Sequence, residues 1–179
     1  MRLMDKKVLL KLLLLFIPVA YGSFLFHEFG HWIVGGILGY DMRYSLNAVW
    51  PKAGNYTYEI HGLFVNIGGV VFTILLSIVG LLIIEKYQLI YMYPLVFYQM
   101  LMRLGTNVFA SVSMQDEGKI STSLNLGTYT VSILVILLLF LIVLKASLKL
   151  KINLLHNGFF LAMGLLCQLI VVETSKMLL

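Results

Sequence analysis

Residues 8–39 read VLLKLLLLFIPVAYGSFLFHEFGHWIVGGILG, and this stretch decides the fold. Apart from Lys11 and the group His27, Glu28 and His31, it holds no ionisable side chain except the Tyr21 phenol. As a straight helix it would reach roughly 48 Å at ~1.5 Å per residue, longer than a ~30 Å hydrocarbon core. The pattern predicts one membrane span, bent near Pro18 and Gly22, whose second half carries the three polar residues. Ionisable groups at bilayer depth cost about 2.5 kcal/mol or more when charged, and they mark function. Positions i and i+4 of a helix share one face, so the His27 and His31 imidazoles can hold a single zinc ion. Glu28 then stands beside the metal, placed to take a proton from a water molecule.

Working outward, the whole chain has the same character. It is 60% hydrophobic and 12% charged, against about 25% charged residues in soluble domains. This composition predicts an all-α polytopic membrane protein, and 179 residues suffice for a single membrane domain, 1–179. The net charge of +5 does not indicate nucleic-acid binding, because the basic residues flank apolar segments, where they fix topology and touch lipid head groups. The single cysteine, Cys167, excludes an internal disulfide and a cysteine metal cage, and reads as a small buried or lipid-facing residue. The basic start and leucine run resemble a signal peptide, but the run is too long and carries the histidine motif, so cleavage is not expected.

About five transmembrane helices are expected: the first span, then residues 62–84, 88–112, 127–144 and 152–172. Residues 41–61 differ, mixing Asp41, Arg43, Pro51, Lys52 and Gly54 with Tyr44, Trp50, Tyr56 and Tyr58. A turn at 51–55 and alternation over 56–60 predict a small β-hairpin at the membrane interface, with an aromatic-rich loop as the alternative. With the N-terminus cytoplasmic, that side receives Arg2, Lys6, Lys7, Lys86, Lys145, Lys149 and Lys151. The other side receives Arg43, Lys52, Lys119 and Lys176, so the bias favours a cytoplasmic N-terminus in a multi-pass integral membrane protein.

A catalytic zinc needs a third protein ligand and one open position. The candidates are His61, His156, Asp116, Glu117, Glu59, Glu85 and Glu173, and Asp116 stands out because it follows an apolar span. Here the chain resembles the site-2 protease family, zinc metalloproteases that cut substrates within the membrane. Asp116-Glu117-Gly118-Lys119-Ile120 is similar to that family's Asp-Gly-Gly-Arg-Ile type segment. Asn107 is similar to its upstream asparagine, and Asn66 to Thr73 to its Gly-Pro-x-x-Asn helix start. The likeness covers roughly residues 20–125. It implies a catalytic core within 8–125, His27, His31 and Asp116 as zinc ligands, Glu28 as general base, and Asn107 at the substrate backbone or oxyanion. It also implies that the hairpin pairs with an extended substrate. Glu117 replaces the glycine that follows the aspartate, so Asp116 and Glu117 both stay open as the third ligand. The family's centre commonly lies near the cytoplasmic face, whereas the charge bias here puts Asp116 on the other side.

Each residue also has a plainer reading. His27 and His31 can be core histidines of a bundle, Glu28 a structural acid paired with Arg103, and Asp116 a helix N-cap. Asn107 can hydrogen-bond a neighbouring helix, and Arg103 is assigned no chemistry. His61 and His156 read as interfacial or packing residues. Gly30, Gly36 and Gly39 read as points of close helix approach, and Asn55-Tyr56-Thr57 matches a glycosylation acceptor of little weight. The expected function is an intramembrane zinc endopeptidase acting on transmembrane or membrane-associated protein substrates. Two alternatives are a proteolytically inactive homologue that binds membrane proteins and a small metal-ion or proton transporter.

Overall fold

A computed structural model describes residues 5–109 and 111–178, so Arg2 of the basic N-terminal cluster lies outside the described residues. The order is α1 (Lys6–Ile37), β1 (Met42–Tyr44), β2 (Val49–Pro51), α2 (Glu59–Tyr87), α3 (Tyr93–Phe109), α4 (Asp116–Ser123), α5 (Thr130–Leu150) and α6 (Leu154–Leu178). The protein is an all-α membrane bundle with one small antiparallel hairpin.

Among the described residues four helices, α1, α2, α5 and α6, are long and apolar enough to cross a membrane. The span expected at 88–112 is the shorter α3, at 17 residues. It lies under the others, with Tyr93, Val96, Tyr98, Leu101 and Met102 all excluded from the surface. Its helix begins at Tyr93, so Pro94 sits in the first turn, where a missing N–H leaves no bond unmade, and does not interrupt a span. The outward faces of the long helices carry large apolar residues such as Leu14, Leu75, Leu137, Phe140 and Leu169, a surface suited to lipid and not to water.

The first span is one unbroken helix running through Pro18, opened by the Asp5 carboxylate accepting from the Lys7 N–H at 2.7 Å. It stops at Gly39, whose φ of +87° suits glycine. The Gly39 and Tyr40 N–H groups donate back to the Gly36 and Gly35 carbonyls, satisfying two of the helix's last acceptors. Gly39 is therefore a terminator, and Gly36 faces open space. Of the three glycines expected at close approach, Gly30 alone plays that part. A Cβ on Gly30 would meet the Gly68 carbonyl oxygen at 2.6 Å, and a Cβ on Gly68 would meet the Gly30 oxygen at the same distance. The backbones of α1 and α2 touch there, which brings the carbonyls of α2 within reach of side chains on α1.

The hairpin is present, but displaced along the chain. Met42 pairs with Pro51 and Tyr44 with Val49, the turn being closed by the Ser45 N–H and hydroxyl on the Ala48 carbonyl. Residues 56–60, expected as a strand, instead lead into α2, which starts at Glu59. The hairpin packs on α1. Met42 fills the space left by Gly35, and the Tyr44 hydroxyl donates to the Leu25 carbonyl, so β1 folds back along α1 to the level of the histidine motif. Burial pushes the Tyr44 phenol up, and the nearby Glu28 carboxylate acts in the same direction, which keeps the hydroxyl a donor.

Candidate metal centre

His27 and His31 point from α1 toward α2. The His27 Nδ1 lies 2.8 Å from the Gly69 carbonyl oxygen and 3.0 Å from the Thr73 hydroxyl. The His31 Nδ1 lies 2.7 Å from the Val65 carbonyl oxygen. A carbonyl can only accept, so each Nδ1 carries its proton, and each neutral ring then presents a lone pair at Nε2. Those two Nε2 atoms are 3.1 Å apart. Asp116, the first residue of α4, aims its Oδ2 at both, at 2.9 Å from His27 and 3.3 Å from His31.

Three acceptors thus converge on one point inside a buried pocket. The Asp116 carboxylate is the third of these acceptors and faces both rings. Converging lone pairs and a carboxylate form a donor set that a cation would satisfy. Bonds of about 2.0–2.1 Å in tetrahedral geometry set donor atoms roughly 3.3 Å apart, close to the spacings here. The donor set, two imidazoles oriented by carbonyls plus one carboxylate, suits zinc. Glu28, 5% exposed, contributes a carboxylate oxygen that, with the two imidazoles, forms a group of potential ligand atoms within 4.8 Å of one another.

Room for this arrangement comes from Gly69. A Cβ there would overlap His31 Nε2 and lie 2.6 Å from His27 Cε1. The stretch 66–73, likened to a helix start, lies well inside α2 and serves as the wall that orients both histidines. Gly118 plays a similar part in α4, since a Cβ on it would overlap the Val112 carbonyl. That contact seats the start of the helix and with it Asp116. Asp116 belongs to the first turn and Gln115 is the N-cap residue, so the capping alternative does not describe it.

The centre opens into a cavity of about 570 Å³. Val49, Trp50 and Pro51 of β2 line one side, Glu28 and Asn66 another, and Arg103, Thr106 and Lys119 a third. Arg103 is the functional candidate that sequence reasoning passed over. Its guanidinium is 3% exposed and sits 3.3 Å from Glu117 and 3.6 Å from Asp116, not against Glu28. The available signal was its position in an apolar segment, where a charge demands a counter-ion.

Asn107 is not brought to the cavity wall. Its amide donates to the Arg103 carbonyl at 2.7 Å, one turn back on α3. Replacing Asn107 by alanine is therefore expected to leave zinc affinity within about threefold of wild type, as read by competition with a chelator. His61 bonds the Tyr40 hydroxyl at 2.8 Å, His156 is buried in α6, and Cys167 is buried. None of these three lines the cavity. No family model matches the chain, and no curated protein and no solved structure matches it.

Proposed function

We propose that this protein is an intramembrane zinc metalloprotease of the site-2 protease type, hydrolysing peptide bonds of transmembrane or membrane-associated substrates. The observation that carries the reading is the convergence of His27 Nε2, His31 Nε2 and Asp116 Oδ2 within 3.3 Å, with both Nδ1 atoms committed to carbonyls.

In this reading His27, His31 and Asp116 hold the ion. Zinc bound there would supply Lewis acidity and lower the pKa of a water from 15.7 toward about 7. Glu28 Oε accepts the proton of the attacking water and returns it to the amine nitrogen of the leaving peptide. The carbonyls of Gly69 and Val65 keep both imidazoles in one tautomer. The polar cavity admits water to a depth the bilayer would keep dry. A helical substrate shields its own peptide bonds, so it must unwind, and the outer edge of β2 offers backbone groups to the resulting strand.

The lysine-rich ends at Lys6, Lys7, Lys86, Lys145, Lys149 and Lys151 support a cytoplasmic N-terminus. The centre then opens toward the opposite face.

The test is cleavage of a panel of transmembrane peptides by the detergent-purified chain, before and after chelation. Loss of cleavage on chelation and its return with one equivalent of zinc are expected. Metal flux into liposomes without any cleavage would replace this reading with a transporter, and tight zinc without cleavage would favour an inactive binding protein.

A further inference from the structure

Resting on the metal reading above, a second buried pair beside the centre has a task of its own. We propose that Glu117 is a positioning residue: by engaging Arg103 it keeps that guanidinium off Asp116 and leaves the Asp116 carboxylate to the metal.

Arg103 is almost wholly buried on α3, and a guanidinium in a bilayer needs an anion. Two carboxylates stand within reach. Its Nη1 is 3.3 Å from Glu117 Oε1, a long hydrogen bond, and 3.6 Å from Asp116 Oδ2, an ion pair without a hydrogen bond. That Asp116 oxygen is the one facing both imidazoles. Arg103 and the imidazoles thus meet one oxygen, and a guanidinium drawn fully onto Asp116 would set arginine in competition with a metal for it.

Glu117 decides the competition. It is fully buried, and among the described residues its side chain has Arg103 as its only hydrogen-bond partner. Successive residues of a helix diverge by about 100°, so α4 turns Asp116 to α1 and Glu117 to α3 from adjacent positions. Gly118 lets the start of the helix sit directly on the Val112 carbonyl. Without the Glu117 charge, the buried Arg103 would have Asp116 as its nearest anion, and the ligand would be drawn from the imidazoles.

The experiment measures zinc affinity of the full chain in detergent, by competition with a chromophoric chelator, and records the visible absorption of the Co²⁺-loaded protein. Far-UV circular dichroism and gel filtration monitor the fold. Glu117→Gln is expected to weaken zinc binding about 10- to 100-fold and alter the cobalt bands, the scale of losing a group that orients a ligand. The double variant Arg103→Gln/Glu117→Gln removes competitor and guard together, and is expected to bind within about threefold of wild type. A folded Glu117→Gln protein with unchanged affinity and spectrum would overturn the proposal. So would a double variant as weak as the single one, because the ion pair would then matter only as structure. If Glu117→Gln does not fold, the double variant and Arg103→Gln decide, and weak binding in both overturns the proposal. Absence of tight zinc in folded wild type would sink the metal reading itself, whereas a failure confined to the variants sinks only the role of Glu117.

Discussion

Glu28→Gln is expected to abolish hydrolysis while leaving zinc bound. The substitution keeps the shape of a side chain that is 5% exposed on α1, and removes only its capacity to take and return a proton. General-base steps contribute about 10²–10⁴-fold to rate, so cleavage should fall by at least ~100-fold. Zinc affinity should stay within about threefold if, as proposed, the ligand atoms come from His27, His31 and Asp116. The paired readout separates two roles for Glu28, whose carboxylate lies close enough to the imidazoles to ligate. Loss of zinc together with activity would make Glu28 a ligand, and retained cleavage would remove it from the chemistry. Single-turnover cleavage beside metal analysis gives both numbers from one preparation.

The second large effect lies on a residue with no side chain. Gly69→Ala adds one methyl group to α2 and, by propensity alone, favours the helix by about 1 kcal/mol. At this position that carbon would overlap His31 Nε2 and stand 2.6 Å from His27 Cε1. Little slack exists to absorb it, because the α1 and α2 backbones already meet at Gly30 and Gly68. The rings must rotate off the Gly69 and Val65 carbonyls that orient them. Losing that orientation typically weakens metal binding 10- to 100-fold per ligand, so a combined loss above ~100-fold is expected. Gly36→Ala, where a Cβ meets nothing within 4 Å, is the control and should bind as wild type. Equal zinc affinity in the two variants would show that the α2 wall does not set the site.

Much of this was legible from the chain, and the boundary has a physical cause. The motif His27-Glu28-Phe29-Gly30-His31 reads locally because a helix fixes which of its own residues share a face. The apolar spans read because bilayer thickness constrains their length. Asp116 read as a candidate by its place after an apolar segment, and the structure puts it opposite both histidines. The Nδ1 partners did not read, since the Val65 and Gly69 carbonyls lie 34 and 42 residues from the histidines they hold and backbone oxygens leave no mark in a sequence. The choice between Asp116 and Glu117 was equally hidden, because it depends on which neighbour faces α1 and which faces Arg103. The hairpin register failed for a related reason. Alternation at 56–60 suits a strand, yet the turn at Ser45 to Ala48 and the descent of Tyr44 to Leu25 place the pairing earlier. The burial of α3 also escaped, since a mostly apolar 17-residue helix looks alike whether lipid or protein surrounds it.

X-ray absorption at the zinc edge of the purified protein, run beside Asp116→Ala and Glu117→Ala, addresses the metal centre most directly. Wild type should show two imidazole nitrogens and one carboxylate oxygen at about 2.0–2.2 Å, with one further light atom. The carboxylate should vanish with Asp116→Ala and remain with Glu117→Ala. Folded wild-type protein without tightly bound zinc, or a shell that survives loss of Asp116 and fails with loss of Glu117, would contradict the centre described above.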